Sequence, residues 1–262
     1  MKKTILTTLI LTLILSTFNT YASVSLSDIK TRDWFYDDVT YLVGNGVING
    51  YPDGTYKPQS NVTVNEFLRL VMVTAGIDIP FVEYPGRAYD MGLINSTLKN
   101  NPSRAITRKD VAVAMAKLIE VDPSLRSKLV TSQSQRDYSR FKYLVWDTYN
   151  LTQNERDSIY KLFEYGLIVG NTENGKVYYK PSTNLTRAEI AAIVRRLSDS
   201  SKLQTMYRDY PNRDEIFEHI HSEEKTNTSW LYYDVDMANK RLIFKDEHDI
   251  GFSNYVLSSP FN

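Results

Sequence analysis

The chain has 262 residues, with 31 basic and 31 acidic side chains, 42% hydrophobic residues and no cysteine. Balanced charge excludes the broad basic field that nucleic-acid binders carry. The lack of cysteine excludes disulfides, thiolate metal sites, thiol nucleophiles and lipid-modified cysteines, so any fold is held by packing alone.

Lys2 and Lys3, an apolar run from Ile5 to Ile14 broken only by threonines, and Thr20-Tyr21-Ala22 read as a secretory signal over residues 1–22. Ser23 then opens the mature chain, which stays near neutral without the two lysines. The run falls short of the roughly 20 apolar residues a spanning helix needs. No integral membrane segment is expected after signal removal.

Val39, Leu42, Val43 and Val47 recur at helical spacing around Gly46, which predicts a helix that stops there. Tyr51-Pro52-Asp53-Gly54-Thr55-Tyr56 carries a Pro-Asp-Gly turn, in which Asp53 is a turn former or a ligand contact. Thr63-Val64-Asn65-Glu66 then places Thr at a helix cap and an acid three residues on, ahead of Phe67, Leu68, Val71 and Met72.

A shorter version follows. Ala88 and Leu93 flank Gly92, with Pro85 in the first turn of a helix, and Thr107-Arg108-Lys109-Asp110 starts a second helix bearing Val111, Ala114, Met115 and Leu118. Val121 to about Gln135 reads as a polar insertion, with Asp122-Pro123-Ser124 as a turn or helix start and Thr131–Gln135 as an exposed linker. Phe141, Leu144, Val145 and Trp146 indicate an additional buried element.

The third version is the cleanest. Thr152-Gln153-Asn154-Glu155 is a capping box, Ile159, Leu162, Phe163 and Leu167 form a helical stripe, and Gly166 ends it. Asn174-Gly175 marks a tight turn, and Thr186-Arg187-Ala188-Glu189 opens a helix with Ile190, Ile193, Val194 and Leu197. Self-similarity at this period means supersecondary units that bury their apolar faces on one another, over 27–76, 77–120 and 121–199.

Residues 200–262 lack the repeat. Ile216, Phe217 and Ile220 fit a short helix, while 230–235 and 241–244 read as strands joined near Met237-Ala238-Asn239. His219 and His221 would point about 200° apart on a helix. On a strand they would share a face, but an incidental polar surface is the simpler reading. No catalytic residue, metal site or cofactor is assigned.

The order Gly-[Leu/Val]-Ile-x-Gly, Asp-Gly-Thr-Tyr-x-Pro and Thr-Arg-Ala-Glu resembles the S-layer homology domain family over about residues 27–199. The resemblance implies a mainly α fold: a pseudo-threefold assembly of three helix-loop-helix units, with a small C-terminal α+β appendage. It implies a secreted protein of the cell wall that binds, noncovalently, an anionic and typically pyruvylated secondary cell-wall polysaccharide. Arg187 and Arg108 stand just inside their helices, where a ketal carboxylate could meet a guanidinium and unpaired backbone amides together. Lys109 adjoins Arg108, and Trp34, Tyr51 and Tyr56 offer aromatic faces to sugars, with Asp53 nearby in sequence. Val64 stands where the family has Arg, and the middle unit lacks the Asp-Gly-Thr loop, so at most two arginine sites are expected. Two other readings are a structural protein that binds a surface-layer protein partner and, behind it, a wall-bound hydrolase whose scaffold past Ser200 would be small.

Overall fold

The computed structural model describes residues 26–129 and 144–204, and the backbone alone of 233–236 and 241–244. The expected signal, the Thr131–Gln135 linker, Phe141 and the His219–His221 cluster lie outside the described residues. In chain order the helices are α1 (Tyr36–Gly44), α2 (Val64–Thr74), α3 (Tyr84–Asp90), α4 (Ser96–Asn100), α5 (Arg108–Val121), α6 (Pro123–Leu129), α7 (Gln153–Glu164) and α8 (Arg187–Ser198). Strands β1 (Asn171–Glu173) and β2 (Lys176–Tyr178) form an antiparallel hairpin. Its turn residues Asn174 and Gly175 both have positive φ, the geometry a two-residue hairpin prefers. A second hairpin pairs β3 (Tyr233–Asp236) with β4 (Arg241–Phe244), in register from Tyr233 opposite Phe244 to Asp236 opposite Arg241.

Helix ends follow the local chemistry. After α1, Gly46 N donates to Val43 O and Val47 N to Leu42 O at 3.0 and 2.9 Å, a Schellman closure that needs the left-handed φ of 71° at Gly46. The same two bonds end α3 at Gly92 and α7 at Gly166. Thr63, Thr107 and Thr186 cap α2, α5 and α8, each hydroxyl accepting the amide three residues on. Glu66 and Glu189 complete capping boxes, as Glu155 does with Thr152 at the start of α7. Asp110 does not, because its side chain is one methylene shorter; it accepts the Thr107 hydroxyl at 2.7 Å and leaves the cap amide out of reach. The insertion after Val121 is less polar in space than in sequence. Asp122 accepts two amides to start α6, which buries Leu125 and Leu129.

The core is continuous through all these helices. Phe67, Leu68, Val71 and Met72 of α2, Val111, Met115 and Leu118 of α5, and Ile190, Val194 and Leu197 of α8 are buried, each contributing about 1.5–3 kcal/mol for the larger side chains. At the centre three buried residues from the strand-like approaches to α2, α5 and α8 close a ring of backbone bonds. Val62 N donates to Leu185 O, Leu185 N to Ile106 O, and Ile106 N to Val62 O, at 2.9, 3.2 and 2.9 Å.

The partner of each first helix differs from a simple helix-loop-helix pairing. α1 packs on α8, α3 on α2 and α7 on α5, so every such helix lies against the capped helix of a different sequence copy. The reason lies in the ring: once the three approaches interleave, each capped helix presents its apolar face to the neighbouring segment.

Candidate functional site

At the start of each capped helix the first two amides are already bonded. Arg187 N and Ala188 N donate to Ser60 O and Pro58 O, both at 2.9 Å; Arg108 N and Lys109 N donate to Thr183 O and Pro181 O at 2.8 and 3.0 Å. The third amide goes to the threonine hydroxyl. Free backbone donors for an anion are therefore missing at these two positions, because the ring of interleaved segments consumes them. What an anion could meet there is side-chain chemistry.

Arg187 reaches across to the first sequence copy. Its Nε donates to Tyr56 O at 2.7 Å, its Nη1 to Glu66 Oε1 at 2.7 Å, and the Tyr56 hydroxyl returns a bond to Arg187 O at 2.6 Å. The guanidinium stands 4.6 and 4.8 Å from the ring centroids of Tyr51 and Tyr56. Glu66 divides its oxygens, Oε2 closing the Thr63 capping box and Oε1 receiving Arg187 and the Tyr51 hydroxyl. Arg108 repeats the arrangement one junction on: Nε to Tyr179 O at 2.6 Å, Nη1 to Glu189 Oε1 at 3.1 Å, and Tyr179 hydroxyl back to Arg108 O. Lys109 pairs with Oε1 of Glu155 at 2.9 Å. Every capping-box glutamate thus has its second oxygen tied to a cation from another copy.

At the remaining junction Val64 is fully buried and no arginine arrives from the first copy. Arg104, on the loop before α5, supplies the charge locally and pairs with Asp110 Oδ2 at 2.5 Å.

A cavity of about 250 Å³ opens where α2, α8 and the loop after α1 meet. Arg187, Tyr51, Tyr56 and Glu66 line it, with Asn49, Gly50, Arg69, Leu70 and Phe81. Arg69 Nη1 donates to Val47 O at 2.7 Å. Burial raises the Tyr51 phenol above its ordinary value, with Glu66 adding to the effect and Arg187 opposing it. Burial also pushes the Tyr56 phenol far up, so both rings stay neutral.

Of the seven residues singled out from the sequence, Arg187, Tyr51 and Tyr56 come together in this cavity. Arg108 and Lys109 sit at the next junction. Tyr56 is 1% exposed and forms wall rather than an open face. Asp53 organises its turn: it accepts Thr55 N and Oγ1 and meets Lys57 Nζ at 3.1 Å. Trp34 is 64% exposed, edge-on to Phe35, and lies outside the cavity lining.

Sequence reasoning missed Arg69 and Phe81, and it saw Glu66 only as a cap. It also missed Asp28, whose two oxygens hold Tyr56 N and Lys57 N at 2.7 Å, and Asp147, which holds Tyr179 N and Lys180 N at 2.8 and 2.7 Å. These pairs stabilise the positive φ of Lys57 and Lys180. The signal was available: the two aspartates precede Gly46 and Gly166 by nearly the same interval. Arg69 carries no such signal, since a cation six residues into a helix reads as an exposed polar face. Among the described residues no group of metal-ligand side chains forms a cluster, and no helix is long and apolar enough to cross a membrane.

Residues 25–63 match the S-layer homology domain family. The chain is 25% identical over 213 residues to an endoglucanase of Bacillus sp. (strain KSM-635), across 72% of this chain and 21% of that protein. It is 29% identical to the middle cell wall protein of Brevibacillus brevis, across 40% of this chain and 10% of that protein. It is also 29% identical to a surface layer protein of Brevibacillus choshinensis, across 44% and 10%. The chain spans about a fifth or less of the length of these relatives.

Proposed function

Since this chain carries an S-layer homology domain, we propose that it is a cell-surface protein that anchors itself to the cell wall by holding an anionic, pyruvylated wall polysaccharide. The observation that carries this reading is the cavity between α2 and α8, whose lining has two guanidiniums, one carboxylate and tyrosine walls. Excess positive charge beside rigid aromatic surface suits a sugar that bears a carboxylate. The three sequence copies act as one interlocked assembly, over 27–76, 77–120 and 121–199. Arg187 shapes the first binding groove, and Arg108 with Lys109 the second. The junction at Val64 is closed by the Arg104–Asp110 pair and holds no ligand. A binding module of this kind is also what chains as different as an endoglucanase and a surface layer protein could have in common.

Sedimentation with purified wall polysaccharide tests the proposal. The protein should co-sediment with the pyruvylated glycan and stay in solution with glycan stripped of pyruvate by mild acid. Equal retention by both, or by neither, would sink it.

A further inference from the structure

The motif arginine is not the free charge of the cavity. Arg187 is 11% exposed at its side chain and is paired with Glu66, so the two together add no net charge to the cavity. Arg69 lines the same cavity, and among the described residues its bonded partner is the carbonyl of Val47. Among the described residues it has no carboxylate within ion-pairing distance. Phe81, on the one-turn helix that precedes α3, is 49% exposed and lines the cavity as well. A half-exposed phenyl ring at a polar cavity leaves an apolar face that solvent covers only at a cost.

Resting on the function proposed above, we infer that Arg69 recognises the carboxylate of the bound saccharide and that Phe81 carries a face of its ring. Arg69 holds the anion with the guanidinium nitrogens that Val47 leaves open, while Arg187 keeps the tyrosine wall in place. The position is particular to the first capped helix. Six residues past the capping threonine, α5 has Val113 and α8 has Ala192, so the junction at Arg108 has no counterpart of Arg69, and its two cations are paired, Arg108 with Glu189 and Lys109 with Glu155. Discrimination between acidic and neutral glycan therefore resides in one groove.

The two residues leave different signatures. Arg69→Gln keeps an N–H donor for the Val47 carbonyl and removes the charge. It should weaken binding to acidic wall polysaccharide about tenfold to a hundredfold and leave binding to the carboxyl-reduced polysaccharide unchanged, while Arg69→Lys retains most of the preference. Phe81→Ala should weaken both glycans by a similar factor, and Phe81→Tyr should restore it. In unmodified protein, acidic polysaccharide should protect Arg69 from phenylglyoxal, mapped by mass spectrometry, and the reduced form should not. An unchanged acidic-to-reduced preference in Arg69→Gln, or no protection of Arg69, overturns the inference while wild-type binding still stands. Failure of the wild-type protein to bind either glycan overturns the function and the inference together.

Discussion

Arg187 shows how one side chain can be read as a ligand contact and yet be a tie between distant segments. Its Nε and Nη1 bonds span 131 and 121 residues of sequence, and both partners are mostly buried. Breaking a pair in such surroundings leaves Glu66 Oε1 with only the Tyr51 hydroxyl. Arg187→Ala should cost about 2 kcal/mol in urea unfolding. Glu66→Gln alone should cost a similar amount, and the double variant should cost less than the two together by about 1 kcal/mol. Strict additivity would mean that the pair is not coupled. A loss of wall binding in Arg187→Ala is therefore interpretable only beside its stability, which is why Arg69 is the cleaner probe of charge.

At the level of elements, carboxylates organise turns and helix ends. Bonds from Thr55, with Lys57 beside it, lower Asp53 to about 2. Bonds from Ser201 and Arg195 lower Asp199, at the end of α8, to about 2. At the start of α7, burial would raise Glu155, but Lys109 and the Thr152 donors outweigh it and hold the carboxyl below its ordinary value. An acid whose folded pKa is depressed binds fewer protons when folded, so its contribution is complete above the unfolded value of about 4 and is lost as pH falls toward about 2. Thermal midpoints should be flat from pH 7 to about 5 and fall between about 4 and 2. Asp199→Asn should shallow that fall, and a variant that kept the full wild-type slope would exclude Asp199 as a contributor.

The described helices are interlocked rather than stacked. In an open solenoid a terminal unit frays alone, whereas here α1 lies on α8 and the backbone ring joins the approaches to all three capped helices. Hydrogen exchange should give the most protected amides of α1, α5 and α8 one common opening free energy. Opening of α1 at a clearly lower free energy than α8 would show that the first copy is an independent unit.

Local chemistry was legible in the residues themselves. Thr63, Thr107 and Thr186 as caps, Gly46, Gly92 and Gly166 as stops, and the Asn174-Gly175 turn are each decided by atoms within a few positions, so a short window of sequence determines them. The apolar stripes named core positions for the same reason, since helical period alone selects the buried face. Partnership across the fold was not legible. That α1 serves α8, that Glu66 gives one oxygen to its own cap and the other to Arg187, and that Arg104 replaces the charge missing at Val64 all depend on which segments the ring brings together. The repeated motif determined by itself the helices, their ends and the family likeness; only the tertiary structure decided that its arginine is neutralised and that Arg69, outside the motif, holds the uncancelled charge, because charge balance is a property of neighbours in space.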